Sequence, residues 1–169
     1  MSKNLRKLIY CALLIAIGFV LSYISGYFAT FKITLGPVAV MLAGALLGPV
    51  YGGITGAAVD ILTLFYKQTG AYFPGFTLTM ALYGILSAIF FYKKDNPGNV
   101  KTVLYILIIQ TVCSALLNTL FISYISGTPF WTLFITTRII PTYASFAVYA
   151  VVMCLLLKYR NKMAVYAQA

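Results

Sequence analysis

The feature that most constrains this chain is a succession of apolar runs with almost no charge inside them. Apart from residues flanking the run ends, only Asp60 and Arg138 interrupt them. Backbone N–H and C=O groups find no partner in hydrocarbon, so a chain of this kind must satisfy them within each run, as helix. The runs predict helices at 5–27, 37–49, 50–66, 75–92, 100–123 and 131–158. With 62% of its 169 residues hydrophobic and 8% charged, the chain lacks the polar surface of a water-soluble globule. The expected class is an all-α integral membrane protein, one domain over 1–169, with no room for a soluble catalytic domain.

Residues 33–66 read either as one very long span or as a hairpin broken at Gly48-Pro49. Charge decides between them. With the hairpin there are six transmembrane helices, and Lys3, Arg6, Lys7, Lys93, Lys94, Lys101, Lys158, Arg160 and Lys162 all fall on one side. Only Lys32 and Lys67 fall on the other. Basic residues concentrate on the cytoplasmic side, so six spans with both termini cytoplasmic are expected. The second and third spans are short for a bilayer, and local thinning or a neighbouring protein is expected to accommodate them. The same placement explains the net charge of +10 as membrane-flanking charge in contact with the lipid bilayer, with no nucleic acid implied.

The N-terminus, basic then apolar then "SGYFA", resembles a secretory signal, but the further runs favour an uncleaved first span. Cys11, Cys113 and Cys154 lie in apolar runs without CxxC spacing, and the chain has no His; they read as buried free thiols, with no metal or cofactor expected. Gly44-x-x-x-Gly48, Gly52-x-x-x-Gly56 and Ala12-x-x-x-Ala16 are small-residue faces for close helix contact. No G-K-[ST] occurs, so the chain has no phosphate loop for ATP hydrolysis.

The polar residues inside the runs share one half of the membrane. At 1.5 Å per residue, Asp60, Arg138 and Asn118 lie roughly 9, 10 and 7 Å from the outer helix ends. Thr77 and Thr79 fall in the first turns of the fourth helix, and Thr136, Thr137, Thr142 and Tyr143 surround Arg138. The inner halves, "ILSAIFF" and "AVYAVVMCLLL", are apolar. This asymmetry predicts a polar pocket open to the outside and closed below, where a pore would need polar residues throughout. Asp60 and Arg138, at matching depth, either neutralise each other or contact a ligand. An Arg offers a rigid fork of donors, an Asp accepts N–H groups, and Pro141 frees a helix carbonyl. In "GAYFPGFTLT", Tyr72, Phe73 and Phe76 flank Pro74-Gly75, a constrained turn able to hold aromatic faces over a planar ligand.

The stretches "LLGPVYGGITGAAVDIL" (46–62), "GAYFPGFTLT" (70–79), "LLNTLFI" (116–122) and "PFWTLFITTRII" (129–140) resemble, in order, the substrate-binding subunit (S component) of an energy-coupling factor vitamin transporter, most similar to the folate type. The resemblance implies six helices in a bacterial cell membrane and a site for a folate-like small molecule near the outer surface. It implies a complex with a transmembrane coupling subunit and two ATPases, docked through Ala12 and Ala16. Arg138, Asp60 and Asn118 would hydrogen-bond the ligand, with Thr77 and Tyr143 beside them. Tyr72, Phe73 and Phe76 would stack on it, and Lys32 and Lys67 would steer an anionic ligand. Relatives of the folate type carry a lysine where this chain has Pro141, so another vitamin or heterocyclic precursor stays open. The alternative of a different class is an ion-coupled secondary carrier, for which two acids without a His make a poor relay of ionisable groups. A membrane enzyme fares worse, because Asp95 lies in a cytoplasmic turn and no acid pair forms.

Overall fold

The computed structural model describes residues 3–24, 34–66, 73–94 and 98–159. Among them there is no strand. The helices are α1 (Lys3–Ile24), α2 (Gly36–Leu47), α3 (Pro49–Tyr66), α4 (Pro74–Phe91), α5 (Asn99–Gln110), α6 (Thr119–Ser126), α7 (Phe130–Leu133) and α8 (Ile139–Lys158). A π-helical stretch, π1 (Thr111–Asn118), joins α5 to α6, and a second, π2 (Phe134–Arg138), joins α7 to α8. Thus α5, π1 and α6 form one continuous rod, Asn99–Ser126, and 130–158 form another. The "SGYFA" segment, Lys32, Lys67, Tyr72 and Asp95 lie outside the described residues.

Local chemistry sets the ends. Proline supplies a fixed φ and lacks the N–H that a first turn leaves unpaired, so it opens helices well. Pro49 and Pro74 begin α3 and α4, and Pro37 lies in the first turn of α2. The expected break at Gly48 is present: its φ of +104° is open to glycine and strained for other residues. The chain reverses there, so that a Cβ on Gly52 would lie 2.7 Å from the Gly44 Cα, eight residues earlier. Residues 36–66 therefore form a hairpin. Gly48 serves as its turn, and a Cβ there would also meet the Tyr92 ring at 3.2 Å.

The hairpin packs on α4 backbone to backbone. A Cβ on Gly84 would lie 2.9 Å from the Gly52 Cα, and Gly44 and Gly56 meet α4 as closely. The Ser87 hydroxyl donates to the Met41 carbonyl at 2.6 Å, tying α4 to α2. The core continues through Phe91, Ile106, Ile109, Tyr149 and Met153. Of the cysteines, all free, Cys11 and Cys113 are buried, but Cys154 is only half-buried because its helix turns that face partly outward.

Four helices among the described residues are long and apolar enough to cross a membrane: Asn4–Ile24, Pro74–Phe91, Asn99–Ser126 and Ile139–Lys158. Outward-facing Leu, Ile and Val side chains on each of them give the molecule an apolar perimeter. Helix α2 has 12 residues, roughly 18 Å against a hydrocarbon thickness of about 30 Å. Eleven of those residues are buried, so α2 is enclosed by α1, α3, α4 and α8. Its shortness is accommodated inside the bundle, where it need not match the lipid. A helix apolar on all sides is one that packs on all sides.

Candidate functional site

The C-terminal part of α3, the N-terminal part of α4, the π1–α6 junction and π2 bring most of the polar residues singled out above into one region. On α3, the Asp60 carboxylate accepts a hydrogen bond from the Thr77 hydroxyl of α4 at 2.6 Å. Thr79, two residues on, turns its hydroxyl back to the Gly75 carbonyl at 2.9 Å and is fully buried. Thr77 thus serves the site, while Thr79 serves its own helix.

The register of the two long rods places Asn118 and Arg138 together. A three-residue turn, 127–129, joins the rods, so they run antiparallel. Gly127 ends α6 with φ +66° and its N–H bonded to the Ser123 carbonyl at 3.0 Å. Inside the bundle, Ser114 on π1 meets Thr142 on α8, hydroxyl to hydroxyl, at 3.4 Å. Four residues outward from Ser114 is Asn118, and four residues outward from Thr142 is Arg138, so both stand at one level. Each ends a π-helical stretch. Such stretches are rare and occur often at functional sites, because the wider turn redirects side chains and leaves carbonyls free.

Below this level the polar groups satisfy one another. Tyr83 donates to Gln110 Oε1 at 2.8 Å, and Gln110 Nε2 donates to the Thr142 carbonyl at 3.3 Å. At the level of Arg138 they do not. The Asn118 Oδ1 is buried without a hydrogen-bond partner. Among the described residues no ion pair joins Asp60 to Arg138, and no side-chain hydrogen bond reaches the half-buried Arg138 guanidinium. Mutual neutralisation, one of the two roles open to this pair, is not what the structure shows.

Aromatic rings lie just outside. Phe73 and Phe76 meet edge-on, with centroids 6.0 Å apart. Phe121 completes the group, 5.3 Å from Phe73 and 6.3 Å from Phe76, and Tyr124 stands 6.3 Å from Phe73. Phe121 and Tyr124 escaped the sequence reading. The spacing of Phe121 from Asn118 by three residues, and of Tyr124 from Phe121 by three, was the available signal. Gln110, Ser114 and Asn118, each four apart in an apolar run, were a second. Tyr143 stands apart from these groups, its ring 44% exposed.

The region gathers one carboxylate, one guanidinium, one carboxamide and several aromatic faces. They can grip a flat molecule by its polar edges and cover its faces.

Comparison with known proteins gives consistent matches. The family model described as "ECF transporter, substrate-specific component" matches residues 6–163. A protein of Clostridium novyi named Folate transporter FolT is 32% identical over 152 residues, covering 89% of this chain and 87% of its own. Its namesake from Streptococcus mutans is 26% identical over 140 residues, covering 79% and 75%. A solved structure described as FolT bound with folic acid matches with a TM-score of 0.79 at 26% identity, covering 94% of each chain.

Proposed function

The chain belongs to the family of ECF transporter substrate-specific components, and from that premise we propose that it binds folate or a close relative for import, with the outer polar region as the binding site. The observation that carries this reading is the Arg138 guanidinium. It is half-buried, has no ion pair or side-chain hydrogen bond among the described residues, and stands level with an unpaired Asn118 oxygen. A buried charge without a partner is costly in a membrane protein, and a ligand that pairs with it offsets that cost.

In this reading Arg138 and Asn118 grip polar edges of the ligand. Asp60, held by Thr77, accepts its N–H groups. Phe73 and Phe76, with Tyr72, cover its faces. The subunit binds but does not turn over its ligand. Transport needs a transmembrane coupling subunit and two ATPase subunits, and the complex docks through the Ala12 and Ala16 face of α1.

The test is binding by the detergent-purified subunit alone. Folic acid is expected to bind one per chain without chemical change, and a folate is expected to co-purify by mass spectrometry. Recovery of a different heterocycle, with no binding of folic acid, would sink the folate assignment.

We further infer six spans in a bacterial cell membrane, with both termini cytoplasmic, from the nine basic residues on one side. The turn at 127–129 is then external and the turn at Lys94 internal. Cysteine introduced as Thr128→Cys, an exposed position, is expected to react with an impermeant maleimide on intact cells. Lys94→Cys is expected to react only after permeabilisation. Labelling of the second on intact cells would rule out this topology.

A further inference from the structure

Hydroxyl side chains in the helices of this protein repeatedly bond the carbonyl four residues back. Thr55 bonds Tyr51, Thr63 bonds Val59, Thr79 bonds Gly75, Thr136 bonds Thr132 and Ser145 bonds Pro141, all at 2.6–2.9 Å. In a membrane helix this is the default way to satisfy a hydroxyl. Thr119 departs from it. It is fully buried, and its Oγ1 has no hydrogen-bond partner. The carbonyl four residues back belongs to Ala115, inside π1, where the register has shifted. The Thr119 backbone N–H reaches only three residues back, to Leu116.

Among the described residues, two buried side-chain polar atoms lack a partner, and they belong to consecutive residues, Asn118 and Thr119. Buried unpaired polar atoms are few in native proteins. Two side by side, at the level of Arg138, which no described residue pairs with, and below the rings of Phe73, Phe76 and Phe121, point to a partner outside the protein. Asn118 Oδ1 only accepts. The Thr119 hydroxyl donates as well.

We propose that Thr119 is a ligand-contacting residue that sets specificity for a lactam edge, an N–H beside a C=O on a planar ring. Asn118 Oδ1 accepts from the ring N–H, and the Thr119 hydroxyl donates to the adjoining ring carbonyl. This rests on the ligand reading of the site given above and deepens it, by naming the edge that the site reads. The π1 register has a role in it. An ordinary α turn would hand the Thr119 hydroxyl to Ala115 and leave the ligand carbonyl without a donor.

The test compares folic acid, which carries a ring carbonyl beside a ring N–H, with its 4-amino analogue, in which an amino group replaces that carbonyl. Wild-type subunit is expected to prefer folic acid. Thr119→Val, nearly isosteric, should weaken folic acid binding about tenfold to a hundredfold and the 4-amino analogue far less, so that the preference narrows. Thr119→Ser should keep both the affinity and the preference, which a packing role would not predict. The melting temperature of the ligand-free Val variant should equal or exceed that of wild type, since the variant loses only an unpaired hydroxyl. If Thr119→Val folds poorly, Thr119→Ala makes the same prediction. Equal weakening of both ligands, or of neither, would overturn the proposal alone. A wild-type subunit that binds no folic acid would overturn it together with the reading of the site.

Discussion

Arg138→Lys is expected to lower ligand affinity of the purified subunit by one to two decades while leaving its melting temperature close to wild type. A lysine keeps the charge but replaces a planar fork of five donors with a compact point charge on a flexible stem. If the fork grips a ligand edge, at least one charge-assisted hydrogen bond is lost, about 1.5–3 kcal/mol. Stability should change little, because among the described residues no side-chain hydrogen bond or ion pair holds the guanidinium. The contrast is with a structural pair. Were Arg138 present only to neutralise Asp60, the double variant Arg138→Gln with Asp60→Asn would recover both folding and binding. Asp60 bonds Thr77 instead, so the double variant is expected to stay folded and fail to bind. Isothermal titration of the single and double variants, with thermal unfolding beside it, decides. Near-native affinity in the double variant would remove Arg138 from the ligand's contacts.

Placing Trp or Leu at Ala12 or Ala16 is expected to abolish uptake in cells and to leave ligand binding by the purified subunit within about twofold of wild type. The reasoning starts from α1. Its inner face, Cys11, Leu14 and Gly18, is buried against the hairpin, with the Cys11 sulfur 3.2 Å from Thr55 Oγ1. Ala12 and Ala16 face the other way and are exposed. Two alanines four apart let another helix approach to backbone distance, and a large side chain props it away. Substitution there disturbs nothing inside the subunit, so the expected loss is confined to energised transport. The measurements are initial uptake rate in cells with the whole transporter, and dissociation constant of the isolated variant. Reduced binding in the isolated variant would show that this face supports the site internally.

Much of the architecture was legible because its causes are local. Runs of apolar residues had to become helices, proline opened two of them, and Gly48-Pro49 broke a stretch that hydropathy alone would have left whole. The glycine faces were legible too, although Gly48 turned out to be the turn itself. Of the site, Asp60, Thr77, Asn118 and Arg138 stood out because polar residues are rare in apolar runs, and Phe73 and Phe76 because a Pro-Gly turn sits between them.

What remained hidden depends on residues distant in sequence. Depth counted along separate helices put Asp60 level with Arg138 and left their pairing open. The packed structure joins Asp60 to a residue 17 positions away on α4, and no described residue pairs with Arg138. The level of Arg138 with Asn118 follows from a contact between Ser114 and Thr142, 28 positions apart. The wider turns of π1 and π2 carry no composition of their own, because the same residues make an α-helix equally well. Hydropathy and turn chemistry, which act between near neighbours, determined where the helices begin and end. Which polar atoms are paired and which are not was decided only by tertiary packing, because a hydrogen bond across helices depends on a register that no single helix contains.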